Sequence, residues 1–170
     1  MQQKILADAM LKNLARWLRI FGLPAIYAGG LRDAGGKQPD DEALLRFALK
    51  NKAMLVTRDE ALGQKAANYV PTVLLRTMDV DSQLLQVLSK TKTGISLSPT
   101  HTLCAHCGGS LSRVPKASVR EKVFPKVYAH NRVFWQCKKC GKLYWKGGHW
   151  EKIVAKAEKI SKKLALLRRK

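Results

Sequence analysis

The stretch KILADAMLKNLARWLRIFG, residues 4–22, holds the reading on which the fold turns. After Lys4 comes a short apolar run of three residues, Ile5-Leu6-Ala7, closed by a single carboxylate, Asp8. The period then changes. Leu11, Leu14, Ala15 and Leu18 recur at i, i+3, i+4 and i+7, which is one face of a helix, and Gly22 stops it. A strand that ends on an acid and passes at once into an amphipathic helix asks what the acid is for.

The same alternation continues downstream. AIYAG reads as a second strand, and GGLRDAGGKQP as a Gly-rich loop closed by Pro39. DDEALLRFALKNK reads as a helix with Asp40 and Asp41 at its start and Leu44, Leu45 and Ala48 on its buried face. AMLVT is a third strand, ended by RDE. EALGQKAAN is a short helix, TVLLRT a fourth strand and DVDSQLLQVLSK a further helix. Strand and helix alternating four times argue an α/β fold, a parallel sheet with helices on both faces. Sites in such sheets form beyond the carboxyl ends of the strands, where Asp8 and Asp59 fall.

TKTGISLSPTH breaks the alternation and reads as a linker. The expected organisation is residues 1–92 as the sheet module, 93–101 as linker, 102–150 as a small β-rich module, and 151–170 as a basic amphipathic helix. In that last helix Ile153, Ala157, Ile160, Leu164 and Leu167 form an apolar stripe expected to dock on the protein. Lys152, Lys156, Lys159, Lys163, Arg168 and Arg169 remain outside it. Within 102–150, KVYAH and RVFWQC both read as β pieces.

Charge is the strongest compositional signal. Among 170 residues, 32 are Lys or Arg and 12 are Asp or Glu, a net of +20. Residues 1–95 hold 14 of the cations and nine of the acids, whereas residues 96–170 hold 18 cations and three acids. The back half is the electrostatic handle, and nucleic acid is the expected partner, because cations that neutralise phosphates release counterions. The alternatives are a solubilising charge excess and an anionic membrane surface. No run approaches the roughly 18–20 apolar residues of a membrane span, so no membrane role is expected. With no secretory signal at the N-terminus, the expected setting is a reducing cytoplasm.

Cysteines occur as two C-x-x-C pairs, Cys104/Cys107 and Cys137/Cys140, with 29 residues between the pairs and glycines after each (Gly108, Gly109 and Gly141). Paired knuckles of this kind bring four thiolates onto one tetrahedral zinc, a closed structural site; redox or disulfide cysteines are the alternative. His101, His106, His130 and His149 are not needed as ligands when four thiolates are present. A module of this size has little core of its own, so zinc is expected to supply much of its folding energy.

The acids form the second constellation: Asp8 after the first strand, Asp40-Asp41-Glu42 at a helix start, and Asp59 after the third strand. Each alone reads equally well as a helix cap. Gathered in one cleft, they would repel one another unless a hard divalent cation joined them, and Mg²⁺ or Mn²⁺ suits oxygen ligands. Two such ions activate a water and steady the leaving oxygen of a phosphodiester.

ILADAMLKNLARWLRIFG, DDEALLRFA, LVTRDEAL and the C-x-x-C-GG-L … C-x-x-C-GKLYWKGGHW pattern together resemble the C-terminal RNase family of the Mut-seven type, from about residue 4 to 152. The resemblance implies a PIN-like, Rossmann-like nuclease sheet with an appended zinc ribbon, and divalent-metal-dependent cleavage of RNA. It maps the first acid of PIN-like sites onto Asp8, the helix-opening acids onto Asp41 and Glu42 in preference to Asp40, and the acid of the T-x-D motif onto Asp59. A fourth acid often completes such sites. Here Gly63 stands where one is hoped for, and Asp79 and Asp81 are weak substitutes.

RNA contacts are expected from Asn13, Arg16 and Arg19 on the first helix and from Arg58 beside Asp59. In the back half the candidates are Lys138, Lys139, Lys142, Trp145, Lys146, His149, Trp150, Lys152 and Lys156, a mixture of rings for bases and ammonium groups for phosphates. A solvated polar face and ribbon-core aromatics are the alternatives. The functional expectation is a ribonuclease, an endonuclease acting on structured RNA such as rRNA or tRNA, with ribosome association left open. The competing reading is a non-catalytic RNA- or ribosome-binding protein with a degenerate site. A third reading is a nuclease acting on DNA, since no feature of the sequence reads a 2′-hydroxyl.

Overall fold

Ile5, Leu6 and Ala7 are all fully buried, although neighbouring strand residues point to opposite faces. Such a strand must be covered on both sides, as in a parallel sheet. A computed structural model describes residues 2–33, 35–91, 93–98 and 100–168. Lys92 at the end of the expected sheet module, Pro99 of the expected linker and Arg169 of the tail lie outside the described residues.

Strands β1 (Ile5–Ala7), β2 (Ala25–Tyr27), β3 (Met54–Thr57) and β4 (Thr72–Leu74) form a four-stranded parallel sheet in the order β2-β1-β3-β4. The helices between and after them are α1 (Lys12–Ile20), α2 (Asp41–Asn51), α3 (Glu60–Ala67) and α4 (Val80–Thr91). The period-2 alternation sorts the core into two layers. Ile5, Ala7, Met54 and Val56 pack with Leu14 and Leu18 of α1 and Leu84 and Leu88 of α4. Leu6 and Leu55 face the other way, onto Leu44, Leu45 and Ala48 of α2 and Leu62 and Ala66 of α3.

The strand order places the site. From β1 the chain steps outward to β2, then returns past β1 to β3. Right-handed crossovers in opposite directions put α1 and α2 on opposite faces of the sheet. In sheets of this kind ligand sites form where the direction reverses, here at the carboxyl ends of β1 and β3.

Downstream, β5 (Leu111–Val114), β6 (Phe134–Cys137) and β7 (Leu143–Trp145) form a three-stranded antiparallel sheet in chain order. Between β5 and β6 the segment KVYAH is helical, not β: α5 spans Pro125–His130. Val127 and Tyr128 favour a strand by type, but Pro125 stands in the first turn, where its fixed φ starts a helix.

The intervening segment is not free of the core. Ile95 and Leu97 pack on the α1/α4 layer, and the Ser96 amide donates to the Phe21 carbonyl at 3.2 Å. The last helix, α6, runs Gly148–Arg168, so His149 and Trp150 belong to its first turn rather than to the ribbon. Its apolar stripe docks on α4 through Ala157, Ile160 and Leu164, but Leu167 is exposed.

Candidate active site and metal centre

Thr57, the last residue of β3, joins the two strand ends. Its hydroxyl donates to Asp8 Oδ2 at 2.6 Å and accepts the Asp59 backbone N–H at 2.9 Å. Asp8 is buried, its own amide bonded to the Val56 carbonyl at 3.0 Å, and its Oδ1 accepts the Ala9 amide. Both its oxygens are therefore fixed in direction. Asp59 caps α3, with Oδ1 accepting the Leu62 amide at 2.9 Å.

The three acids at the start of α2 divide their tasks. Asp40 is the N-cap, accepting the Ala43 amide at 2.8 Å. Glu42 is exposed and paired with Lys65. Asp41 is the one that senses the others. Asp41 is exposed, but slight desolvation at the helix start lifts its carboxyl above the usual range, and the charges of Asp59, Asp8 and Asp40 lift it further. Asp8, Asp41 and Asp59 thus share one electrostatic neighbourhood, contributed by β1, α2 and the β3–α3 turn. An all-oxygen donor set under mutual repulsion fits a hard divalent cation.

Apart from the capping Asp40, whose charge also reaches Asp41, the candidates for a fourth carboxylate do not join them. Gly63 is buried, and a Cβ there would meet Leu74 Cδ1 at 2.9 Å. Asp79 accepts the Ser82 amide and hydroxyl at the start of α4. Asp81 pairs with Lys156 and Lys159 of α6.

The four cysteines form the second centre. Their sulfurs all lie within 4.8 Å of one another, and no carboxylate set among the described residues converges to that degree. Cys104–Cys140 and Cys107–Cys137 are 3.7 and 3.4 Å apart. Zn–S bonds of about 2.3 Å at tetrahedral angles require edges of about 3.8 Å, so the cluster fits zinc. The knuckles repeat one design: the Gly108 amide donates to the Cys104 carbonyl at 2.8 Å, and the Gly141 amide to the Cys137 carbonyl at 3.0 Å. Gly108 and Gly141 have φ of +76° and +72°, a region that favours glycine.

Thiol acidity within the cluster is split. Burial pushes Cys104 up, but bonds from the Tyr144 hydroxyl and the Cys107 and His106 amides bring it down to about 6. Burial, together with the neighbouring thiols, pushes Cys107 to about 12. A bound divalent ion removes that conflict by holding all four as thiolates.

Arg19, expected on a substrate backbone, is instead buried and bonded within the protein. Nε donates to the Ala25 carbonyl at 2.7 Å, and Nη1 to the carbonyls of His106 at 2.8 Å and Ala105 at 3.3 Å. It ties α1 and β2 to the first cysteine knuckle. Lys156 is likewise engaged, paired with Asp81 and 4.6 Å above the Trp17 ring.

Of the remaining RNA candidates, Asn13, Arg16, Lys138, Lys139, Lys142, Lys146, His149 and Lys152 are exposed. Arg58 is half-buried. Trp145 lies at the surface, its ring centroid 6.3 Å from that of Phe134, and Trp150 is half-buried under the Lys146 ammonium. Sequence reasoning passed over Thr57 and Tyr27. Thr57 was visible as the first letter of T-x-D. Tyr27, whose hydroxyl donates to the Ala9 carbonyl at 2.9 Å, carried no local signal.

A sequence model of the Mut7-C RNAse domain matches residues 3–157, nearly the whole chain. A comparison with curated proteins finds no match.

Proposed function

The chain belongs to the Mut7-C RNAse domain family, and on that premise we propose that it is a divalent-metal-dependent ribonuclease, an endonuclease acting on structured RNA such as rRNA or tRNA. The observation that carries this reading is the Thr57 hydroxyl bridging Asp8 and Asp59 at the sheet's switch point, with Asp41 close enough to feel both charges.

In this reading Asp8, Asp41 and Asp59 hold Mg²⁺ or Mn²⁺, with Glu42 at the rim. Such an ion, when bound, supplies a hard Lewis acid that activates water and steadies the leaving oxygen. The protein's own part is orientation. Thr57 fixes the Asp8 carboxylate, and the α3 amide of Leu62 fixes Asp59. Structural zinc in the four-cysteine cluster keeps the ribbon folded, and the exposed cations of ribbon and tail hold the RNA. The proposed setting is a reducing cytoplasm, which keeps the thiols free for metal.

One observation favours a second reading, a binding protein without chemistry: the candidates for a fourth acid do not join the trio, because Asp79 and Asp81 are engaged elsewhere. Labelled structured RNA incubated with Mg²⁺ or Mn²⁺ separates the two. Cleavage that vanishes in Asp8→Asn and with chelator supports the nuclease. Cleavage surviving both discredits the acid site, and binding without cleavage under either metal supports the second reading.

A further inference from the structure

Between the sheet module and the ribbon runs a groove of about 870 Å³. Its floor is β2, an edge strand whose outer side has no neighbouring strand. One wall is α1, the other the first cysteine knuckle, with Lys139, Lys142 and Tyr144 from the second half of the ribbon. The lining contains Lys4, Lys12, Arg16, Arg19, Lys139 and Lys142 and not one carboxylate. Arg19 is taken up by carbonyls, but the other five cations are exposed, and none is in an ion pair among the described residues. In a protein with acids at its sheet edge, five exposed cations with no carboxylate beside them among the described residues mark a path for a polyanion, the Cys107 thiolate being the one negative group at the wall.

The groove also has a direction. β2 runs parallel to β1, so its Tyr27 end lies at the carboxyl edge of the sheet. There the Tyr27 hydroxyl bonds to the carbonyl of Ala9, the residue after Asp8. A chain lying along β2 thus leaves the groove beside the acids.

We propose that this inter-module groove is the track for a single, unpaired RNA strand, held by its phosphates and led past Tyr27 to the acid edge. The assignment rests on the ribonuclease reading for what happens at that edge, but not for binding. The volume is that of clefts enclosing compact ligands, roughly 300–1,000 Å³. A cleft of this size matches a few nucleotides of one backbone, and a duplex is the ligand it is tested against. Lysine ammonium groups are point charges that read phosphate and not base edges, so the grip is independent of sequence. Unpaired loops or ends of a folded RNA are therefore the segments delivered. The Arg19 clamp has a clear purpose in this arrangement: it fixes the distance between the two walls.

The test is fluorescence anisotropy of labelled single-stranded RNA, and of its duplex, across a salt series. Wild-type protein in buffer without divalent metal and the Asp8→Asn variant serve as two uncut backgrounds. The groove variant combines Lys12→Gln, Arg16→Gln, Lys139→Gln and Lys142→Gln. A control of equal charge loss combines Arg46→Gln, Lys50→Gln, Lys52→Gln and Lys90→Gln, all exposed and outside the groove. Four lost phosphate contacts should flatten the salt slope by about 2.8 for a single strand. Single-strand affinity should fall at least tenfold in the groove variant, with the control close to wild type and the duplex bound more weakly than the strand. Equal losses in both variants, or duplex bound as tightly as single strand, would overturn the track. If the groove variant alone loses binding while wild type cuts nothing under Mg²⁺ or Mn²⁺, the track stands and the ribonuclease reading fails. If wild type cuts and the groove variant binds and cuts unchanged, the ribonuclease stands and the track fails.

Discussion

Arg19 Nη1 donates to the carbonyl oxygen of His106 at 2.8 Å, across 87 positions of sequence. The same guanidinium bonds the Ala25 carbonyl, so one side chain spans the sheet module and the cysteine knuckle. A Cβ at Gly108 would stand 3.2 Å from Arg19 Nε, so the close approach of the guanidinium to the knuckle favours glycine there.

Arg19→Met should therefore leave three carbonyls without their donor and cost about 2–4 kcal/mol. Because two of these carbonyls, those of Ala105 and His106, sit inside the Cys104–Cys107 turn, metal affinity should fall as well, by about 10–100-fold. Thermal unfolding and the rate of zinc release to a chromogenic chelator check both. A variant with wild-type zinc retention would mean that the knuckle holds its shape unaided.

The Thr57 hydroxyl gives a cleaner separation of stability from activity. Thr57→Val keeps the side-chain shape but removes the donor to Asp8 and the acceptor for the Asp59 amide. RNA cleavage should drop by about 10²-fold in kcat through misplacement of the acids, with binding unchanged. Thr57→Ser should restore most of it. Equal activity in Val and Ser variants would show that the hydroxyl orients nothing.

These two residues also mark what sequence can convey. The Ile5-Leu6-Ala7 run and the Leu11/Leu14/Ala15/Leu18 face predicted a buried strand and its helix because both signals are local periodicities. The cysteine spacing predicted the four-sulfur cluster for the same reason. Arg19 stands at i+8 from Leu11, at the border of the apolar face, whereas Arg16 at i+5 faces solvent; but two of its three carbonyl partners arrive from a distant module, so the sequence does not show what it holds. KVYAH failed because residue type favoured a strand while a single proline set the backbone. Asp40, Asp41 and Glu42 look alike in sequence. Only the fold separates a cap, a member of the acid group and a partner of Lys65.

Asp81 holds α6 against α4. Hydrogen bonds from Lys156 and Lys159 lower its pKa below the ordinary carboxylate value. A depressed pKa stabilises the fold fully above the unfolded value of about 3.9, and the contribution disappears as pH falls through the folded value. Acidification below about pH 4 should therefore loosen α6, seen as exposure of Trp17 fluorescence. Asp81→Asn should cost about 1–2 kcal/mol at neutral pH and flatten that acid limb. An unchanged limb in the variant would assign it to other carboxylates.

Asp41 has the opposite sign. Slight desolvation and the charges of Asp59, Asp8 and Asp40 raise the pKa of this exposed group in the fold, so its ionised form at neutral pH opposes folding, and the penalty is relieved as pH falls through the raised value. A cation bound among the acids relieves the same repulsion without a proton. Asp41→Asn should thus raise the melting temperature of metal-free protein while removing the further rise that Mg²⁺ or Mn²⁺ gives the wild type. Glu42→Gln should do neither, because Glu42 is paired with Lys65. The paired outcome matters, since a helix-capping acid and a metal-holding acid differ in sign. Loss of a simple cap lowers stability and leaves the metal response intact. Loss of a crowded metal ligand does the reverse. A lowered melting temperature with full metal stabilisation in Asp41→Asn would return Asp41 to the role of helix-start acid and leave Asp8 and Asp59 without their third partner.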